Sequence, residues 1–295
     1  MSDQAEKLRQ MTLRSSIPKK SSVIKNSAKS QVITVTSGKG GVGKTNFTVN
    51  LALALAALDK KVLIIDADLG MANVEVVFGC SAPYNILNLL EDGLKITDIV
   101  ADGPRGIKFL AGGSGIFHLA NLSDAHLNHI VAQIALFDNW ADFILIDTGA
   151  GISRNVLNFV MAADQVILIT TPEPTAITDA YAMVKAYAGQ NGIAPLKLVV
   201  NRVLDRDEGQ VVVDKLMRVS QRFLNVSIEN LGYVYEDRSM VKAVKKQVPL
   251  LLSFPEAISA RCIENIAQQL IGGKNMYQQP LGIKGFFHKF LEYMY

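Results

Sequence analysis

Residues 38–45 read Gly38-Lys39-Gly40-Gly41-Val42-Gly43-Lys44-Thr45, between the β-like run Val32–Val35 and the apolar stretch Asn46–Leu58. The order is strand, glycine-rich loop, helix. In that context the string fits the phosphate-binding pattern G-x-x-x-x-G-K-[ST], with Gly38, Gly43, Lys44 and Thr45 at the fixed places. Glycines let backbone N–H groups turn inward around a polyphosphate without Cβ clashes. The following helix adds its positive N-terminal end. Lys44 is expected to reach the outer phosphates and Thr45 to ligate Mg²⁺ through its hydroxyl. Gly38 to Asn46 are therefore the candidate nucleotide-binding residues, with Gly40, Gly41 and Val42 forming the arch of the loop.

Outward from this loop, strand-like runs recur at Val32–Thr36, Val62–Asp66, Ile107–Leu110, Phe143–Asp147, Val166–Thr170, Leu196–Asn201 and Leu231–Val234. Several are continuously apolar, as buried parallel strands are. Helix-like segments lie at Asn46–Leu58, Asp124–Phe137, Arg154–Met161, Thr178–Gly189 and Gly209–Leu224. The alternation predicts an α/β fold with a doubly wound, mostly parallel sheet flanked by helices. A chain of 295 residues with 49% hydrophobic content supports one large domain of this kind. The formal charge of +3 argues against a general affinity for nucleic acid, and no specific nucleic acid is expected. Cys80 and Cys262 are far apart, which argues against a disulfide scaffold or a metal cluster. With no signal-peptide core and no spanning apolar run, the expected location is the cytoplasm.

Nucleotide hydrolysis also needs Mg²⁺ ligands and a positioned water. Asp147 ends an apolar strand and precedes Thr148-Gly149-Ala150-Gly151, a carboxylate followed by a glycine switch. At the carboxyl end of a parallel strand it faces the ligand crevice and is a candidate metal ligand. Asp66 and Asp68 flank Ala67 after a second such strand, where aspartate is also favoured by turns. Asn201-Arg202 closes another strand, and a side-chain amide has both a donor and an acceptor for the edge of adenine. His118, His126 and His129 have no metal-like partners and read as ordinary polar positions.

Lys39 adds information that the basic pattern does not require. Lys39, Gly40, Gly41, Lys44 and Thr45 match K-G-G-x-x-K-[ST], and the string resembles the deviant Walker A motif of the MinD/ParA family. The resemblance implies an ATPase that binds ATP or ADP with Mg²⁺ and sandwiches two nucleotides in a homodimer. In that reading Lys39 crosses the seam and acts, like Lys44, as a catalytic charge. Asp68 orients the attacking water, Asp66 belongs to the outer shell of Mg²⁺, Asn201 meets adenine, and Arg202 is a weaker base contact. Glu173, within Thr171-Pro-Glu-Pro-Thr175, is expected near the seam.

The two ends carry separate patterns. Ile283, Phe286, Phe287, Phe290, Leu291 and Met294 follow i, i+3, i+4, i+7, i+8, i+11 spacing and make one apolar helix face, with Lys284, His288, Lys289 and Glu292 opposite. Such a face at a chain end, with no evident core to fill, suits the lipid interface; docking in a groove of the protein's own body is the alternative, and a helix that swings out on dimerisation combines the two. It resembles the membrane-targeting sequence of MinD. At the other end Asp3, Gln4, Ala5, Leu8 and Arg9 match D-Q-A-x-x-L-R, and the chain resembles the FlhG (YlxH, FleN) group of MinD-like ATPases. That resemblance implies stimulation of the GTPase FlhF, contacts with flagellar C-ring switch proteins, and a peripheral place at the inner membrane face with ATP. It divides the chain into an activator helix at 1–13, a flexible basic linker at 14–30, an ATPase domain at 31–272, and a loop with a membrane-targeting helix at 273–295. The alternatives are a ParA-type DNA partition ATPase, a MinD-type division-site ATPase, and an iron-protein type that needs cysteines the chain does not place.

Overall fold

In the computed structural model of the chain, residues 29–68, 73–91, 93–111, 113–119, 122–272 and 280–294 are described. The eight strands are β1 (Gln31–Ser37), β2 (Val62–Ala67), β3 (Ala101–Asp102), β4 (Lys108–Ala111), β5 (Phe143–Thr148), β6 (Gln165–Thr170), β7 (Leu196–Val203) and β8 (Ile228–Tyr235). They form one sheet in the order β3-β4-β2-β5-β1-β6-β7-β8. All neighbours run parallel except the short edge pair β3 and β4. Every residue of β2, β5 and β6 is buried, because both faces of the sheet are covered.

The main helices are α1 (Lys44–Ala56), α2 (Asn73–Phe78), α3 (Asp124–Ile134), α4 (Arg154–Ala162), α5 (Pro174–Gly189), α6 (Arg206–Leu224), α7 (Arg238–Lys246), α8 (Ile258–Gly272) and α9 (Gly282–Met294). Alternation along the strands sends side chains to opposite cores. Ile33, Val35, Ile64 and Ile169 pack with α1, α2 and α8. Val32, Leu63, Ile146 and Leu168 pack with α3, α4, α5, α6 and α9 on the other face. The doubly wound sheet expected from the alternation is what forms.

Several boundaries differ from the sequence reading. Helix α5 starts at Pro174 rather than Thr178, since proline suits the first helical position. Helix α6 starts at Arg206 rather than Gly209, because Asp205 caps it by accepting the Glu208 N–H at 2.8 Å. Helix α3 stops at Ile134 and a 3-10 turn, Ala135–Asn139, takes over. Strand β8 is longer than Leu231–Val234 and its register shifts opposite Leu198 and Val199. Helices α2, α7 and α8 and strand β3 were not foreseen. The linker expected to run to Ser30 ends earlier: Ser30 is fully buried and its hydroxyl donates to Asp138 Oδ1 at 2.7 Å.

The C-terminal segment is helical, as its period indicated, but its apolar face does have a core to fill. Ile283, Phe286, Phe287 and Phe290 are buried, and Leu291 and Met294 pack half-buried at the edge. Phe159 of α4 stacks on Phe290 with ring centroids 4.4 Å apart and on Phe286 at 6.3 Å. The start of α9 is held by two carboxylates. Asp138 Oδ1 accepts the Ile283 N–H at 2.7 Å, and Asp164 accepts those of Leu281 and Val32, both at 3.0 Å. At its end Arg154 donates to the Met294 carbonyl at 3.1 Å. The activator segment 1–13, with Asp3, Gln4, Ala5, Leu8 and Arg9, lies outside the described residues, as do most of the linker and residues 273–279.

Candidate functional site

The site forms where the carboxyl ends of β1, β2, β5, β6 and β7 converge, the ligand crevice of an open parallel sheet. Gly41 and Gly43 have φ of +79° and +92°, so the loop turns as only glycine permits without strain. A Cβ on Gly43 would also collide with the Asn201 amide. Gly43 passes directly into α1, leaving the helix's first N–H groups without a side-chain cap, as an anion-binding end requires.

Asp147 is the centre of the polar cluster. It is fully buried at the end of β5, level with Asp66 on β2. Its Oδ1 accepts from Lys44 Nζ at 3.2 Å and from the Thr48 hydroxyl at 3.0 Å; its Oδ2 accepts from the Thr45 hydroxyl at 2.6 Å. Asp66 accepts the N–H groups of Asp68 and Val74, each at 3.1 Å. Burial, and then the charge of Asp147, push the Asp66 carboxyl up to about 7. Asp68 accepts from the Asn73 amide at 3.1 Å, and its carboxylate faces Gly149 of the loop after β5. That loop is tied to the phosphate-loop strand, since Gly151 N–H donates to the Ser37 carbonyl at 3.0 Å.

Two carboxylates and a threonine hydroxyl form an all-oxygen set beside a loop built for phosphate. That set fits Mg²⁺, which binds through one or two carboxylates plus substrate phosphates rather than through a protein cage. Among the described residues no group of three or more His, Cys, Asp or Glu side chains is arranged to hold a metal by itself. Cys80 and Cys262 are both free.

Lys39 lies at the margin of the site. Its Nζ is 2.7 Å from Glu173 Oε2 and 3.0 Å from the Thr175 hydroxyl. The hydrogen bond and charge of Lys39, with a smaller contribution from Arg202, hold the Glu173 carboxyl below its ordinary value. Asn201 Nδ2 donates to the Val42 carbonyl at 2.7 Å, and its Oδ1 accepts the Arg202 N–H at 3.0 Å. Asn201 therefore braces the phosphate loop. An amide has two N–H groups and two lone pairs, so one of each is left for a base. From Gly43 and Asn46 a cavity of about 480 Å³ runs past Asn201 and Arg202 to a wall made by Glu236, Asp237, Met240, Val241 and Val244.

The structure thus gathers Lys39, Lys44, Thr45, Asp66, Asp68, Asp147, Asn201 and Arg202 at one crevice. Sequence reasoning missed Thr48, Thr175 and the α7 wall. Thr48 had a signal, since it sits one helical turn beyond Lys44 and Thr45. The wall had a weaker one: Asp237 as a cap, then Met240, Val241 and Val244 at helical spacing.

The family model of the CobQ/CobB/MinD/ParA nucleotide binding domain matches residues 33–250. The chain belongs to the MinD/ParA family of ATPases, in its FlhG branch. Antiactivator FleN of Pseudomonas aeruginosa is 37% identical over 263 residues, covering 89% of this chain and 92% of FleN. Flagellum site-determining protein YlxH of Helicobacter pylori is 32% identical over 299 residues, covering all of both chains. Among solved structures, MinD in the MinC:MinD cell division complex of Aquifex aeolicus superposes with a TM-score of 0.65 at 28% identity, covering 85% of this chain and all of that one. Among the described residues of this FlhG-branch ATPase, no helix is long and apolar enough to cross a membrane.

Proposed function

We propose that this ATPase is a nucleotide-driven dimerising switch that binds the inner face of the membrane and regulates flagellar number and placement. The observation that carries the dimer is Lys39. It is the one lysine of the loop that points away from Asp147, held at the margin by Glu173 and Thr175. A cation placed there is suited to a nucleotide on a second copy. Lys44 takes the phosphates of its own nucleotide, and Asp68, beside Gly149, orients the attacking water. Thr45, Asp147 and, at one remove, Asp66 hold Mg²⁺, which when bound neutralises charge on the phosphates. Light scattering with ATP tests this: Lys39→Ala should stay monomeric, and Asp68→Ala should accumulate as a dimer that turns over poorly. A Lys39→Ala protein that dimerises normally would refute the role in trans.

The membrane role rests on α9. Its phenylalanines are covered here, so lipid binding requires α9 to leave its groove. Each large apolar side chain uncovered costs roughly 1.5–3 kcal/mol, and the lipid interface offers a similar gain. The exchange is therefore close to balanced, and dimerisation can tip it because two joined helices bind with a raised effective concentration. Liposome sedimentation should depend on ATP. The flagellar role is supported by the names of the relatives, an antiactivator and a flagellum site-determining protein. The match of Asp3, Gln4, Ala5, Leu8 and Arg9 to the activator motif supports stimulation of FlhF, and C-ring contacts follow from the FlhG resemblance. A peptide of residues 1–16 should speed GTP hydrolysis by FlhF, and Gln4→Ala should weaken it.

A further inference from the structure

Between β8 and α7 the chain makes a polar junction. Asp237 Oδ1 accepts the Ser239 N–H at 2.7 Å and so caps α7. Its Oδ2 accepts the Ser259 N–H at 3.3 Å and the Ser259 hydroxyl at 3.1 Å. Ser259 lies in the first turn of α8, so one carboxylate holds the starts of two helices together. Asp237 and Ser259 both line the cavity that begins at Gly43. Besides this junction α7 is held by Ala243, its one buried residue, by Met240 packed half-buried against the core, and by Lys246, 5.2 Å from the Phe254 ring. Val241 and Val244 remain 49% and 47% exposed on the cavity side, an apolar surface ready to be covered by a planar ring.

We infer that Asp237 is a positioning residue for the nucleotide base: by tying α7 to α8 it fixes the apolar wall of the cavity, and so sets nucleotide affinity and base selectivity without touching the phosphates. This rests on the reading of the cavity as the base site. A pocket wall binds well only when it is already in place, because ordering it on binding subtracts from affinity. The cap alone would start α7 but would not aim it; the link from Oδ2 to Ser259 supplies the direction.

Asp237→Asn separates the two roles. The amide oxygen still caps α7, but the amide nitrogen cannot accept the Ser259 N–H, and the Ser259 hydroxyl must turn from donor to acceptor to meet it. The variant should bind ATP about tenfold more weakly, with turnover at saturating ATP changed by less than twofold. Its preference for ATP over GTP should narrow, and inorganic tripolyphosphate, which has no base, should bind as before. Ser259→Ala removes only the hydroxyl bond and should show the same pattern at about threefold. Wild-type ATP affinity and selectivity in Asp237→Asn would overturn the assignment. So would an equal loss for ATP and tripolyphosphate, which would place the damage in the phosphate loop. If the wild-type protein itself binds ATP, GTP and tripolyphosphate alike, the cavity is not the base site, and the underlying reading fails with the assignment.

Discussion

At the scale of single residues, Asp147 shows how much of the site one buried carboxylate organises. It accepts from Lys44, Thr45 and Thr48, all on the first turn and a half of α1. The single Thr48 hydroxyl proton lies between Asp147 and the Lys44 carbonyl, both at 3.0 Å, so Thr48→Val, which keeps the shape, should cost roughly 0.5–3 kcal/mol in denaturant unfolding. An unchanged midpoint would mean that Asp147 is satisfied without it. Glu173 gives a second prediction. It competes with any outside ligand for Lys39, so Glu173→Gln should dimerise at a lower ATP concentration in a light-scattering titration. A higher requirement would mean that Glu173 assists the seam rather than restrains Lys39. Lys44, Thr45 and Asp147 were legible in the sequence because strand–loop–helix context fixes what a short motif means. Thr48 was not, because the partner that gives it a role is 99 positions away.

At the scale of elements, legibility followed the apolar pattern. Strands β2, β5 and β6 are wholly buried and announced themselves as apolar runs. Helix α7 buries only Ala243 and carries Arg238, Lys242, Lys245 and Lys246, so the short apolar stripe of Met240, Val241 and Val244 was a weak mark of a site wall. The stripe of α9 was plain, but what covers it comes from α4, far back in the chain. Its start is a sharp turn at Gly282, where φ is +73° and a Cβ would strike the Asp138 carboxylate. Gly282→Ala should therefore weaken docking by roughly 1–3 kcal/mol. Hydrogen exchange within 283–294 should quicken, and ADP-state liposome binding should rise. Protection equal to wild type would show that the groove alone holds the helix. Asp164 adds a pH dependence. Burial raises its pKa despite the N–H groups of Leu281 and Val32. Its contribution is thus fully present below the unfolded value of about 3.9 and is lost as the pH rises through the native value. The stability of wild type minus that of Asp164→Asn should fall over that interval, and a flat difference would contradict the shift.

At the scale of the whole molecule, α9 is as much a part of the core as any crossover helix. Deleting Ile283–Tyr295 therefore does more than remove the proposed lipid contact: it uncovers Phe159 and the part of the core that α9 covers. The truncated protein should melt several degrees lower, as the loss of several buried side chains requires. A truncation with unchanged melting would mean that the groove closes on itself. The groove also brings the start of β1 and the start of α9 to one place. Ser30, where the chain enters β1, and Ile283, where α9 begins, share Asp138 Oδ1. Free energy exchanged at a shared acceptor is reciprocal. Whatever grips the chain at Ser30 is therefore weighed against the grip on the start of the last helix, because one carboxylate oxygen serves both.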